Sequence, residues 1–220
     1  EETFSEVTLI RNNTPYGFAK NNNIGAAQTS APMLLFLNPD TEVTPGALRA
    51  MLAVSERHPH CGIFGGRLSD ADRQIERSVG AFPTLTSLAI DRLLAALSML
   101  RPLLDHHSQR HYLRYDIERQ VAWTTGAYLW IRRDVFDALE GWDSEIFMYG
   151  EDADLCYRSH KLGRPVLYTP DSQAFHYHNK VPLDRTRRKR LLREGLTLFA
   201  RKHYGPLRAR AYRRILGWLW

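Results

Sequence analysis

The sequence predicts an α/β fold built on a mixed, mainly parallel sheet flanked by helices. Three observations carry this expectation. The chain of 220 residues is 44% hydrophobic and 11% aromatic, enough for one α/β domain with a core of its own. From Val7 to Gly66 it alternates between short apolar runs and helical patterns. The run Met33-Leu34-Leu35-Phe36-Leu37 is uninterrupted by polar side chains, the pattern of a strand buried on both faces of a parallel sheet.

Each element follows from its own residues. Val7-Thr8-Leu9-Ile10 reads as a short strand, and residues 22–31 as a helix closed by Pro32. Asn38-Pro39-Asp40-Thr41 is a turn by composition. Thr44 is placed as the N-cap of the next helix, with Pro45 at its first position and Leu48, Met51, Leu52 and Val54 as its apolar stripe. Residues 61–66 form another strand, and residues 84–104 an amphipathic helix. Residues 105–120, polar and rich in His and Arg, read as a mobile excursion. Ala127-Tyr128-Leu129-Trp130-Ile131 is a strand, followed by a short helix at 134–139 that Gly141 stops. A helix from the carboxylate cluster to Lys161, strands at 166–168 and 174–176, and a helical tail complete the chain.

Charge divides the molecule. The net charge is +6, yet the stretch from Arg185 to Arg214 holds twelve Lys and Arg against one acid, Glu194. Such a run is a solvated basic face or meets an anionic partner: nucleic acid, phospholipid or a phosphorylated substrate. The tail lacks a nucleic-acid recognition module, so no nucleic-acid partner is expected. Cys61 and Cys156 lie far apart without CxxC pairing, which argues against a disulfide framework or a zinc knuckle and suits a reducing cytosol. No apolar run reaches the length of a membrane span, and neither a signal peptide nor an initiator Met opens the chain, which reads as an excised domain.

Three constellations carry chemistry. Asp40 lies just past a strand end, where a carboxylate can coordinate Mg²⁺ or Mn²⁺ or simply shape a turn. Glu151, Asp152 and Asp154 follow the apolar run Ile146-Phe147-Met148-Tyr149. Acids in a first helical turn favour the macrodipole. At helical spacing only one or two of them can face a common site. Asp152 is the choice for general base, with Glu151 a neighbour that raises its basicity, and Asp154 is structural. His176 and His178 share one face of a strand and offer imidazole ligands, or pack as ordinary core residues.

Together these segments resemble an inverting family-2 glycosyltransferase of the GT-A fold. The resemblance runs over about residues 7–205. It rests on Gly17-Phe18-Ala19 with Asn23 and Gly25, on Leu35-Phe36-Leu37-Asn38-Pro39-Asp40, and on Thr125-Gly126-Ala127 with Ile131-Arg132-Arg133. Gly141-Trp142-Asp143 and the stretch from Phe147 through Gly150-Glu151-Asp152-Ala153-Asp154 to Arg158 complete it. The closest flavour is the rhamnosyltransferase-like branch that builds bacterial surface polysaccharides.

The resemblance implies metal-dependent transfer of a sugar from a nucleotide-diphospho-sugar donor to a glycan or lipid-pyrophosphate acceptor. It makes Asp40 the last acid of a DxD-type motif holding Mg²⁺ or Mn²⁺, with Asn38 at the motif's first position and Asn23 also on the donor side. Asp152 corresponds to the catalytic base beside Glu151. His176 matches a metal-binding histidine, with His178 as the fallback, and Trp123, Gly126 and Ala127 line the acceptor side. Residues 1–180 are then a partial catalytic core, and 181–220 a basic helical extension facing anionic membrane from the cytoplasm. Pro15 departs from the family's usual Asn, and the first two strands, with their nucleotide-contacting acid, have no counterpart. The alternative is a truncated, non-catalytic relative serving binding or assembly.

Overall fold

The computed structural model describes residues 6–96, 115–177 and 184–219. Its elements run α1 (Phe18–Ala26), β1 (Met33–Leu37), β2 (Thr41–Val43), α2 (Ala47–Arg57), β3 (Ile63–Ser69), β4 (Val79–Gly80), α3 (Leu85–Ala96) and β5 (Arg119–Val121). They continue with β6 (Trp123–Thr124), β7 (Tyr128–Arg132), α4 (Arg133–Ala138), α5 (Glu151–Lys161), β8 (Val166–His176), α6 (Arg185–Tyr204) and α7 (Pro206–Leu219).

The main sheet has the order β1-β7-β3-β8-β2, with β5 paired to β8 outside that path. It is mixed, as expected, but its pairings are mainly antiparallel: β3–β8 is parallel, while β1–β7, β3–β7, β2–β8 and β5–β8 are antiparallel. The apolar runs suggested otherwise for a physical reason. β7 sends Leu129 and Ile131 into a core shared with α1, α4 and α5, and Tyr128 and Trp130 into a second core shared with α2. A strand covered on both faces reads as continuously hydrophobic whichever way its neighbours run.

Local chemistry moves several boundaries. Val7 to Ile10 form no strand and lie exposed. α1 starts at Phe18, whose N–H donates to the Phe147 carbonyl at 3.2 Å, so the helix begins and ends earlier than 22–31. α2 starts after Gly46, which adopts φ +83°, a left-handed conformation that suits glycine. Thr44 therefore accepts from the Ala47 N–H in a turn rather than capping the helix. On α2, Met51 and Val54 are buried, whereas Leu48 and Leu52 are exposed. The expected excursion is ordered where it is described: Tyr115 is buried and β5 hydrogen-bonds to β8; residues 105–114 lie outside the described residues. The two strands expected at 166–168 and 174–176 are one, β8, whose pairing with β3 shifts register between Gly66 and Arg67.

The basic tail is helical and packs into the body of the protein. Leu88 of α3 joins Ala200, Ala209, Tyr212 and Leu216 of α6 and α7 in a third core. Gly195 of α6 rests directly on the Tyr149 carbonyl, where a Cβ would overlap the oxygen.

Candidate active site

Two strand ends build one half of the site. β1 ends at Asn38, whose carbonyl accepts from the Thr41 N–H at 3.1 Å, closing the predicted turn and placing Asp40 at its third position. β2 then pairs with the end of β8, Thr41 opposite His176. The register brings the side chains together: Asp40 Oδ1 and Asn38 Nδ2 each lie 3.3 Å from His176 Nε2. On the other side of the ring, Nδ1 meets Glu76 Oε2 at 2.9 Å. Burial alone would lower the imidazolium pKa, but the Glu76 hydrogen bond and the charges of Glu76 and Asp40 outweigh it and raise it.

This donor set fits a divalent cation. With Nδ1–H donated to Glu76, the Nε2 lone pair is open to the Asn38 amide N–H or to a cation shared with Asp40. A carboxylate that fixes the tautomer and orientation of a ligating imidazole is a recurrent feature of metal sites. Glu76 was not foreseen. It reaches the site because its N–H is tied to the Leu68 carbonyl at 2.8 Å, and no motif in Gln74-Ile75-Glu76-Arg77 marks it.

The other half is the start of α5. The approach is strained: Tyr149 adopts φ +66° and Gly150 φ +108°. A left-handed tyrosine is uncommon, and such geometry persists where surrounding structure holds it. The next two residues are the acids. Asp152 is half-buried, accepts from the Ala153 N–H at 2.8 Å, and is hydrogen-bonded by the Gly126 N–H. Burial pushes its pKa up to about 6, while the backbone N–H groups of Ala153 and Gly126 hold it back. Glu151 is buried, and its Oε2 has no hydrogen-bond partner among the described residues. Burial and then the Asp152 charge push its pKa up to about 8. The two carboxyls titrate as a pair, both held above the ordinary carboxylate range. Burial is the largest cause that makes Asp152 basic.

Asp154 has different work. It is fully buried and accepts from Arg158 at 2.7 Å and from His203 at 2.7 Å, with Lys202 Nζ at 3.0 Å. Burial opposes its ionisation, but the His203 hydrogen bond, the Arg158 charge and the Lys202 and Arg158 hydrogen bonds win and hold the pKa down at about 2. Since His203 and Lys202 belong to α6, Asp154 pins the C-terminal helix to the helix that carries Asp152.

The predicted residues sort as follows. Asp40, Asn38 and His176 come together, as do Glu151, Asp152 and Gly126. The Asn38 N–H donates to the Ala127 carbonyl at 3.1 Å, which links the two halves. The Ala127 side chain is 3% exposed and packs in a core, so only its backbone serves the site. The Asn23 amide accepts from the Trp142 N–H at 2.9 Å and donates to the Trp142 carbonyl at 2.8 Å, clamping the loop before α5. Trp123 is half-buried in β6 with its indole N–H on the Ala81 carbonyl at 2.8 Å, bracing the β4–β6 pair. His178 lies outside the described residues.

A mixed sheet covered on both faces, with a carboxylate turn at one strand end and a second acid opening a helix, defines a GT-A-type fold. The chain belongs to the glycosyltransferase-like family 2, whose profile matches residues 1–197. It is 29% identical over 174 residues to the N-acetylglucosaminyl-diphospho-decaprenol L-rhamnosyltransferase of Mycobacterium tuberculosis, covering 75% of this chain and 56% of that protein. To the rhamnosyltransferase WbbL of Escherichia coli it is 28% identical over 170 residues, covering 74% and 61%. The chain thus spans little more than half the length of these curated relatives. Among solved structures, the mannosyltransferase PcManGT from Pyrobaculum calidifontis, in complex with GDP-Man and Mn²⁺, matches with a TM-score of 0.53 over 96% of this chain and 52% of that one. At 15% identity that is a likeness of fold.

Proposed function

We propose that the protein transfers a sugar, L-rhamnose by likeness to its relatives, from a nucleotide-diphospho donor to a hydroxyl of a lipid-linked glycan, with inversion at the anomeric carbon. The observation that carries this reading is Asp152: a half-buried carboxylate at the N-terminus of α5, made basic by burial and hydrogen-bonded by the Gly126 and Ala153 N–H groups. Inversion by single displacement needs one base on the acceptor hydroxyl, and a carboxylate with a pKa near 6 serves well. The Gly126 and Ala153 N–H groups fix its orientation, and burial holds the neighbouring Glu151 carboxyl well above the usual carboxylate range.

Asp40 and His176 would hold Mg²⁺ or Mn²⁺, with Asn38 and Glu76 steadying the imidazole. When bound, the cation offsets negative charge building on the departing diphosphate. Mn²⁺ in the mannosyltransferase PcManGT complex supports this assignment. The relatives' polyprenol-linked acceptor supports a membrane setting. So do the exposed arginines of α6 and α7, among them Arg187, Arg190, Arg193, Arg201, Arg210 and Arg213, which suit peripheral contact with anionic lipid at the cytoplasmic face. No helix among the described residues is long and apolar enough to cross a membrane.

The test is direct transfer: nucleotide-activated L-rhamnose, Mn²⁺ and an N-acetylglucosaminyl-diphospho-polyprenol acceptor, with the product's anomeric configuration read by NMR. Inverted product that requires Mn²⁺ and disappears in Asp152→Asn is the expected result. Full transfer by Asp152→Asn would remove that residue from the mechanism.

A further inference from the structure

At the opposite end of β3 from His176, the chain makes a tight corner. α2 ends at Arg57, and His58-Pro59-His60-Cys61 leads into the sheet. The Cys61 N–H donates to the His58 carbonyl at 3.0 Å, closing a four-residue turn with Pro59 at its second position, a place that favours proline. The turn folds three side chains onto one another. One ligand-capable atom from each of His58, His60 and Cys61 lies within 4.8 Å of the others. Access is graded: the thiol is buried, His58 is half-buried and His60 is exposed. The turn thus has an inner sulfur donor and an imidazole at the surface.

A second observation concerns His58. Its Nε2 meets Glu118 Oε1 at 2.6 Å, and Glu118 is itself held by Arg57 at 3.3 Å. That leaves Nδ1 for the cluster. The carboxylate on the far nitrogen fixes which ring nitrogen keeps its proton, as partners of metal-bound histidines do.

We infer that His58, His60 and Cys61 form a zinc site, separate from the sugar-transfer site. Two imidazoles and a thiolate are a borderline-soft donor set that selects Zn²⁺ over the Mg²⁺ or Mn²⁺ suited to Asp40 and His176. On binding, a zinc–sulfur bond forms, the thiol proton passes to solvent, and water completes four-coordination. The seven residues of β3 separate the corner from the end of β8 that carries His176, a span of about 20 Å, so the ion takes no part in transfer. Its effect is to fasten the end of α2 to the chain leading into β3.

Cobalt titration of the metal-free protein tests this. Co²⁺ should bind at one equivalent with a thiolate-to-cobalt charge-transfer band, and Zn²⁺ should displace it. Cys156, the other thiol, is buried with its sulfur on the Thr124 carbonyl, so the band reports Cys61. Cys61→Ser should abolish the band. His60→Ala, at an exposed position that leaves folding intact, should weaken Co²⁺ binding. Glu118→Gln should weaken it about ten- to a hundredfold. Asp40→Asn should leave the band untouched. A titration without the band, or one unchanged by His60→Ala, overturns the assignment whatever the outcome of the transfer assay.

Discussion

Glu76 Oε2 stands 2.9 Å from His176 Nδ1, on the side of the ring away from Asp40. The imidazole is thereby held between two carboxylates, Glu76 on Nδ1 and Asp40 near Nε2. Removing Glu76 should leave both proposed ligands in place and loosen their aim. Glu76→Ala is expected to weaken Mn²⁺ binding, measured by calorimetry, by about ten- to a hundredfold, with Glu76→Gln between it and the native protein. Equal affinity in all three would assign Glu76 a packing role alone.

As the proposed base, Asp152 should govern the pH dependence of transfer. Its pKa is raised to about 6, so the base is protonated below that value and free above it. The rate should climb as pH rises through about 6. Asp152→Asn should lower kcat by about a hundred- to ten-thousandfold and remove that limb of the profile. A profile of the same shape in the variant would place the titration elsewhere.

Glu151 sets a stability trend of the opposite kind from ordinary surface acids. Its pKa is raised in the folded protein, from 4.5 to about 8, so between those values the native state keeps a proton that the unfolded chain has lost. Its contribution is complete below about 4.5 and is lost as pH rises through about 8. Glu151→Gln removes this loss. The variant should be more stable than the native protein near pH 9, by on the order of 1–3 kcal/mol in denaturant melts, and show little gain near pH 4.

Asp154 shows the usual sign. Its pKa is depressed from 3.8 to about 2, so its contribution is present above about 3.8 and fades as pH falls toward 2. Asp154→Ala leaves Arg158, His203 and Lys202 without their shared carboxylate and should cost about 3–5 kcal/mol. Amide exchange along α6 should quicken in this variant even at temperatures where the sheet stays protected.

Much of this was legible because short-range chemistry wrote it into the chain. Asn38-Pro39-Asp40-Thr41 could only be a turn, and the carboxylates after Gly150 open the helix whose range was expected. What could not be read depends on contacts distant in sequence. Asn23 looked like a loop residue free to meet a ligand because nothing nearby shows that Trp142, far along the chain, occupies its amide. Glu76 carries no local signal, since its meaning comes from a strand a hundred residues later. Strand direction was hidden too: Tyr128 to Arg132 is as apolar between antiparallel neighbours as it would be between parallel ones.

The contact between Gly195 and Tyr149 turns α6 into a spacer. One side of the helix touches the strained turn that aims Asp152, and Arg190, Arg193 and Arg201 lie exposed elsewhere on it. Were those arginines laid on an anionic bilayer, as proposed, Asp152 would stand one helix thickness, about 10–12 Å, above the headgroups. That standoff would select acceptors by height, favouring a sugar carried on a diphosphate stalk over one lying flush with the lipid surface.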